Sequence, residues 1–230
     1  MCKLKRYSII TEKMPREFIL LQGRGCAWRK CTFCDYYNDV SESPFEINSS
    51  VINKIRGVSG VLDVINSGSA MELDSKTLEL LREKADEKRI HTIWFEAHWM
   101  YRNKLEEFSK LFPKQKVKYR IGVETFNKDL RSSWIKGIDK SVEAEDIAKY
   151  FSGACLLVGI KGQTKDTIKK DIEIALKYFE YFSINVFVEN TTNTRKDREL
   201  AYWFESEIFP EIKDNTKIEV LINNTDLGVG

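Results

Sequence analysis

A chain of 230 residues that is 42% hydrophobic can bury a substantial core as one compact domain, without needing disulfides or metals to hold it together. Its formal charge is only +2 with 31% of residues charged, and both signs are interspersed, which argues against the basic tract by which proteins grip a nucleic-acid backbone. The slightly basic start, MCKLKRYSIITEKMPREF, has too short an apolar part for a signal peptide or a membrane span, so a reducing, cytoplasmic location and no membrane partner are expected.

Apolar, β-rich runs alternate with amphipathic ones along the chain. Strands are predicted at residues 18–21, 61–66, 92–96, 118–123, 154–160 and 184–188, with a seventh candidate at 218–222. Helices are predicted at 75–87, 104–111, 144–150, 165–182 and 195–208, where apolar residues recur at helical spacing, as in Leu78, Leu80, Leu81 and Ala85 or Ile168, Ile172, Ile174, Ala175 and Tyr178. Strand followed by helix, repeated in this way, implies an α/β fold with a parallel sheet and helices outside it. A closed barrel and an open sheet satisfy the pattern equally. No linker or low-complexity segment interrupts it, so residues 1–230 read as a single domain. Residues 35–51, with Tyr36, Tyr37, Phe45 and Glu46, read either as a lid or as a packed connection.

The loop after the first predicted strand carries the chemistry. In GRGCAWRKCTFCDYY, Cys26, Cys31 and Cys34 supply three thiolates, enough to hold a four-iron cluster while leaving one iron open. Clusters used only for electron transfer take four cysteines, and structural zinc also wants four ligands. Cys2 and Cys155 lie far away in sequence, and five cysteines with three in one loop make no disulfide framework. Gly23 and Gly25 allow a tight turn and close approach to a bulky cluster. The alternative is a zinc loop completed by His91, His98 or Asp35.

With Phe33 as the aromatic residue before the last cysteine, this loop resembles that of the radical S-adenosylmethionine (SAM) superfamily. The family spacing is C-x3-C-x2-C; here one extra residue gives C-x4-C-x2-C, read as a longer loop. The resemblance implies a partial (β/α)6 barrel, a [4Fe-4S] cluster on Cys26, Cys31 and Cys34, and function gathered at the strand ends. It further implies SAM contacts from Phe33, from the small-residue turn Ser67, Gly68 and Ser69, from Glu124 at the end of the fourth strand, and from Gly159 and Gly162 after the fifth. Each has a structural alternative: a capped turn at Ser67 or Ser69, and for Glu124 an ion pair with Arg120 or a nearby lysine. The implied chemistry is one-electron cleavage of SAM to a 5′-deoxyadenosyl radical that takes a hydrogen atom from the substrate.

Substrate contacts are expected from the third and sixth strand ends. Glu96 and His98 are two apart and would share a side of an extended strand, with Trp99 beside them. The alternative has Trp99 covering the rim and His98 bonded to backbone. Asn185, Glu189 and Asn190 add carboxamides and a carboxylate, which suit a ligand with amide or guanidine-like edges. The run GRGC-x-WR-x-C-T-F-C-D, with SGS after the second strand and no appended module, is similar to small radical SAM proteins of 7-deazaguanine metabolism, notably those that cleave queuine. That likeness implies scission of the carbon–nitrogen bond between queuine's cyclopentenediol and its base, releasing 7-aminomethyl-7-deazaguanine. Glu189 or Glu96 would meet the 2-amino edge, Trp99 or Tyr36 the ring planes, and Asn185 or Asn190 the diol. A flavodoxin or ferredoxin would supply electrons. The competing readings are a radical SAM enzyme acting on a deazaguanine within tRNA, and a non-catalytic Fe–S or zinc protein.

Overall fold

The computed structural model describes residues 4–230, so Cys2 lies outside the described residues. Eight strands form one sheet in chain order: β1 (Tyr7–Ile10), β2 (Arg16–Leu21), β3 (Val61–Asn66), β4 (Thr92–Glu96), β5 (Lys116–Glu124), β6 (Gly153–Val158), β7 (Tyr181–Val186) and β8 (Ile218–Leu221). β1 pairs antiparallel with β2; the pairings β2–β3, β3–β4, β5–β6, β6–β7 and β7–β8 are parallel. Parallel neighbours need crossovers, which helices provide: α1 (Pro44–Ile52), α2 (Ser75–Glu87), α3 (Leu105–Ser109), α4 (Lys128–Ser133), α5 (Ala144–Ala148), α6 (Lys165–Tyr178), α7 (Arg198–Trp203) and α8 (Phe209–Ile212).

All seven expected strands are present, and α2 has the expected bounds. The helix expected over 165–182 stops at Tyr178, because Phe179 is already extended and Tyr181 opens β7. The aromatic run Tyr178, Phe179, Tyr181, Phe182 continues a helical spacing, which is why the period misleads there. β1 was not expected: its residues are all half-buried, and its pairing to β2 is antiparallel. Within 35–51, α1 begins with Pro44 in its first turn and buries Asn48, Val51 and Ile52, the packed-connection reading of that segment. The helix expected over 195–208 is α7 followed by a π-helical turn, Phe204–Ile208.

The chain divides into two compact units, with β5 contributing residues to both. The first runs through Ala27, resumes from Tyr36 to Tyr119 and takes in Leu227–Gly230; the second is Trp28–Asp35 with Arg120–Asp226. In the first unit, Phe95 meets Phe108 and Phe112 with ring centroids 5.3 Å apart, and Phe108 meets Tyr119 at 6.5 Å. Two buried charges there are compensated. Arg16 and Asp63, on paired strands and both fully buried, are 2.9 Å apart. Glu17 accepts from the backbone N–H groups of Arg56, Gly57 and Val58 and from the Tyr7 hydroxyl, so its buried carboxylate is satisfied by a ring of donors. Burial and the neighbouring Glu17 push the Tyr7 phenol up to about 12, which keeps it a donor.

In the second unit, β6 is buried along its whole length, as a central parallel strand should be. α6 turns Ile168, Asp171, Ile172 and Ala175 inward, starting from a Thr164 cap whose hydroxyl accepts from Thr167 N–H.

Candidate active site

In the first unit, β3 ends at Asn66 and the chain turns through Ser67, Gly68 and Ser69 into a 3-10 turn, Ala70–Glu72. Glu72 organises this corner. Its Oε2 accepts from Ser69 N–H at 2.8 Å, while its Oε1 accepts from the backbone N–H of Ala27, next to Cys26, and from the Tyr101 hydroxyl, both at 3.0 Å. Tyr101 is pushed up to about 12 by burial and by Glu72, so it remains protonated and donating. A Cβ on Gly68 would stand 3.0 Å from the Cys26 Cα and 2.0 Å from Glu72 Oε2, so only glycine lets the turn lie against the cysteine's backbone. Asn66 Oδ1 and Ser67 Oγ are buried in this corner without a protein partner.

β4 delivers Glu96, His98 and Trp99 to the same unit. His98 N–H donates to Ser69 Oγ at 3.0 Å, and its ring Nδ1 accepts from Met100 N–H at 3.2 Å. Trp99 is buried under the Arg102 guanidinium, 4.7 Å above its ring. The His98 ring thus bonds to backbone, the arrangement set against a substrate contact for this residue.

In the second unit, Cys31 and Cys34 flank Phe33 on a turn in which Cys34 N–H points at Cys31 C=O. Both are partly buried against a core of Phe33, Trp134, Leu157, Ile160 and Phe187. Cys26 is partly buried and Cys155 is buried in β6. The turn is tied from several sides: Thr32 N–H to Trp134 C=O, Asn190 Nδ2 to Phe33 C=O at 2.8 Å, Thr194 Oγ1 to Thr32 C=O at 2.8 Å, and Thr191 to the Asp35 carboxylate. Asn190 Oδ1 accepts from Thr192, so both ends of that carboxamide serve the loop. Glu189 is exposed and caps Lys196 N–H, and Tyr36 is exposed at 59%. Asn185 differs: its Oδ1 is buried without a protein partner.

Glu124 closes β5 at a bulge, with φ of 67°, a left-handed backbone that side chains other than glycine adopt only under constraint. Its Oε1 is 2.8 Å from Lys136 Nζ, an ion pair with a lysine. The following turn is fastened by Asp171, which accepts from Thr125 Oγ1 and Phe126 N–H, each at 2.7 Å. After β6, Gly159 lies against Ala201 of α7, and Gln163 locks the turn by bonding Leu157 C=O and Ile160 N–H. Gly162 is exposed, with only Leu130 within reach of an added Cβ.

Glu72, Tyr101, Lys136 and Asp171 were not anticipated. For Glu72 a signal existed, since Ser69-Ala70-Met71-Glu72 is a capping-box pattern. Lys136 is one of 37 basic residues and nothing local distinguishes it. Among the described residues, no group of three or more His, Cys, Asp or Glu side chains stands together as a preformed metal site.

A parallel α/β sheet with a three-thiol loop after β2 and a small-residue turn after β3 defines a radical SAM protein. No protein-family model and no curated protein matches the sequence. Among solved structures, queuine lyase from Clostridium spiroforme bound to SAM and queuine is similar over 99% of this chain and 100% of its own, at 42% identity and a TM-score of 0.94. The chain belongs to the queuine lyase family. Two more distant structures share the fold alone. SuiB of Streptococcus suis, bound to S-adenosylmethionine, has a TM-score of 0.54 at 14% identity, over 91% of this chain and 47% of that one. Methylornithine synthase (PylB) has 0.51 at 13%, over 93% and 73%. The architecture is accordingly the partial (β/α)6 barrel of radical SAM proteins with helices outside its parallel strands.

Proposed function

We propose that this chain is a queuine lyase, a radical SAM enzyme that cleaves queuine's carbon–nitrogen bond and releases 7-aminomethyl-7-deazaguanine. The observation that carries this reading is the near-complete match, at 42% identity, to a lyase structure that holds both SAM and queuine. Cys26, Cys31 and Cys34 are the residues that would hold a [4Fe-4S] cluster; all three lie on one loop, and their soft donor set suits iron–sulfur chemistry. When bound, cluster and SAM together supply a 5′-deoxyadenosyl radical that starts bond cleavage by removing a hydrogen atom from the substrate.

The chain's own residues receive and orient these groups. Asn66 Oδ1 and Ser67 Oγ, buried and unpartnered beside Gly68, suit the ammonium of SAM's methionine end, which offers donors to such acceptors. Ser69 is held by His98 N–H and by Glu72, which fixes the course of the turn. Glu124, displaced into a left-handed backbone, presents its carboxylate for SAM beside Lys136. Phe33, Gly159 and Gly162 are further proposed SAM contacts. For queuine, Asn185 offers its unpartnered Oδ1 to a donor on the diol or amine, while Glu96 and Trp99 offer a carboxylate and a ring. Asn190 holds the cysteine loop, Glu189 caps the neighbouring loop, and His98 holds the Ser69 turn.

Residues 1–230 act as one radical SAM domain, fed by a flavodoxin or ferredoxin in the cytoplasm. Among the described residues, no helix is long and apolar enough to cross a membrane. Anaerobic incubation of cluster-reconstituted protein with SAM, a low-potential reductant and queuine tests the function. Formation of 5′-deoxyadenosine together with 7-aminomethyl-7-deazaguanine is expected. Deoxyadenosine with intact queuine would move the substrate to tRNA or another base, and neither product from cluster-loaded protein would favour a non-catalytic metal protein.

A further inference from the structure

Lys136 is an unusual lysine. Its side chain is only 11% exposed, its Nζ is 2.8 Å from Glu124 Oε1, and it stands 5.7 Å from the centre of the Phe33 ring, the residue flanked by Cys31 and Cys34. The preceding residue, Ile135, presents its carbonyl 4.0 Å from Cys31 Sγ, and Lys136 N–H is bound to Arg131 C=O at 3.2 Å, so the backbone that carries the ammonium is anchored. Room for the pair is made by Gly122, where an added Cβ would lie 2.5 Å from Glu124 Oε1 and 3.0 Å from Lys136 Nζ. The Glu124 carboxylate offsets the cost of burying this ammonium.

A buried charge pair that demands a glycine and a left-handed carboxylate is a costly feature with no evident packing purpose. We propose that Lys136 is a positioning and charge-balancing residue that raises the reduction potential of the cluster held by Cys31 and Cys34, with Glu124 as its counterweight. This rests on the cluster assignment made above. Reduction adds one electron from an external donor to a cluster already carrying thiolate charge, with no proton taken up. A fixed cation in a poorly solvated site stabilises that added charge, and a carboxylate opposes it. The two partners should therefore shift the potential in opposite directions, which a simple structural ion pair would not do.

The test is an EPR-monitored redox titration of full-length, cluster-reconstituted protein without SAM, with iron and sulfide content measured on each sample. For Lys136→Met the ratio of reduced to oxidised cluster at the wild-type midpoint is expected to fall about tenfold, a shift of about 59 mV for one electron. Lys136→Arg, which keeps the charge, should stay near wild type, and Glu124→Gln should move the midpoint upward. An unchanged midpoint in Lys136→Met, or an Arg variant equal to the Met variant, overturns the proposal while leaving the lyase reading intact. Wild-type protein that takes up no cluster overturns both. Should Lys136→Met fail to fold, the double variant Glu124→Gln/Lys136→Met leaves no unpaired buried charge; its midpoint must lie below that of Glu124→Gln, and equality overturns the proposal.

Discussion

Glu72 shows how one carboxylate can set the geometry of a whole corner. Its two oxygens hold the backbone beside Cys26, the Ser69 turn and the Tyr101 hydroxyl, so it registers the first cysteine against the proposed SAM turn. A carboxamide in its place can accept at one end only and would face an N–H or O–H with its own donor at the other. Glu72→Gln is therefore expected to weaken the corner nearly as much as Glu72→Ala, with about a tenfold loss in cluster retention or SAM affinity, typical of groups that orient metal ligands. Iron content and the KM for SAM check this, and Tyr101→Phe, losing one bond, should do less. Among the cysteines, alanine at Cys26, Cys31 or Cys34 should each abolish the cluster's visible absorption. Cys155→Ala should retain it, with a small packing loss, because that thiol is buried in β6 away from the loop sequence. Retention of a normal cluster by any of the first three would remove that residue from the ligand set.

Elements place these residues by how they end. β5 ends in a bulge that turns Glu124 out of line, and the turn behind it is fastened by Asp171 from α6. Burial pushes the Asp171 carboxyl up to about 6, against the opposing hydrogen bonds from Thr125 and Phe126 and the charge of Arg131. A raised carboxyl pKa means the folded protein holds the proton more tightly than the unfolded chain. Its contribution to stability is complete below the unfolded value near 4 and lost as pH rises through about 6, up to about 3 kcal/mol in all. Asp171→Asn lacks this dependence. The stability difference, wild type minus variant, should be larger at about pH 4 than at about pH 7, as urea midpoints would show. Equal differences at both would mean that the carboxyl titrates alike in the folded and the unfolded chain. The Arg16–Asp63 pair plays a structural part between β2 and β3. Arg16→Met would leave Asp63 buried without its cation, costing about 3–5 kcal/mol by urea denaturation, and Asp63→Leu added to it should recover part of the loss.

At the scale of the molecule, a net charge of +2 matches a small free base better than a nucleic-acid backbone. Queuine affinity should change less than about twofold between 50 and 200 mM salt, conditions under which a protein holding many phosphates loses about a thousandfold or more. A steep salt dependence in an equilibrium titration, with tRNA competing, would point to the modifying enzyme instead.

The α/β alternation, α2 to the residue and the three-cysteine loop with Phe33 were all legible in the chain, because periodicity and motif spacing are local properties. So was the small-residue turn at Ser67–Ser69. The capping-box pattern at Ser69 and Glu72 stood in the sequence too, but its second task, holding the backbone beside Cys26, depends on a contact 45 residues away in the chain. The start of β7 was hidden because four aromatics satisfy a helical and an extended spacing alike. Lys136, Asp171 and the loop-holding role of Asn190 could be decided only by the tertiary structure, since their significance lies in partners 12, 45 and 157 residues distant. What the sequence by itself determined is which chemistry the chain carries, for that needs only the right donors on one loop. Folding decided which polar groups are already committed to the scaffold and which, such as Asn66 Oδ1, Ser67 Oγ and Asn185 Oδ1, are buried without a protein partner, because a buried acceptor is identified only by what surrounds it.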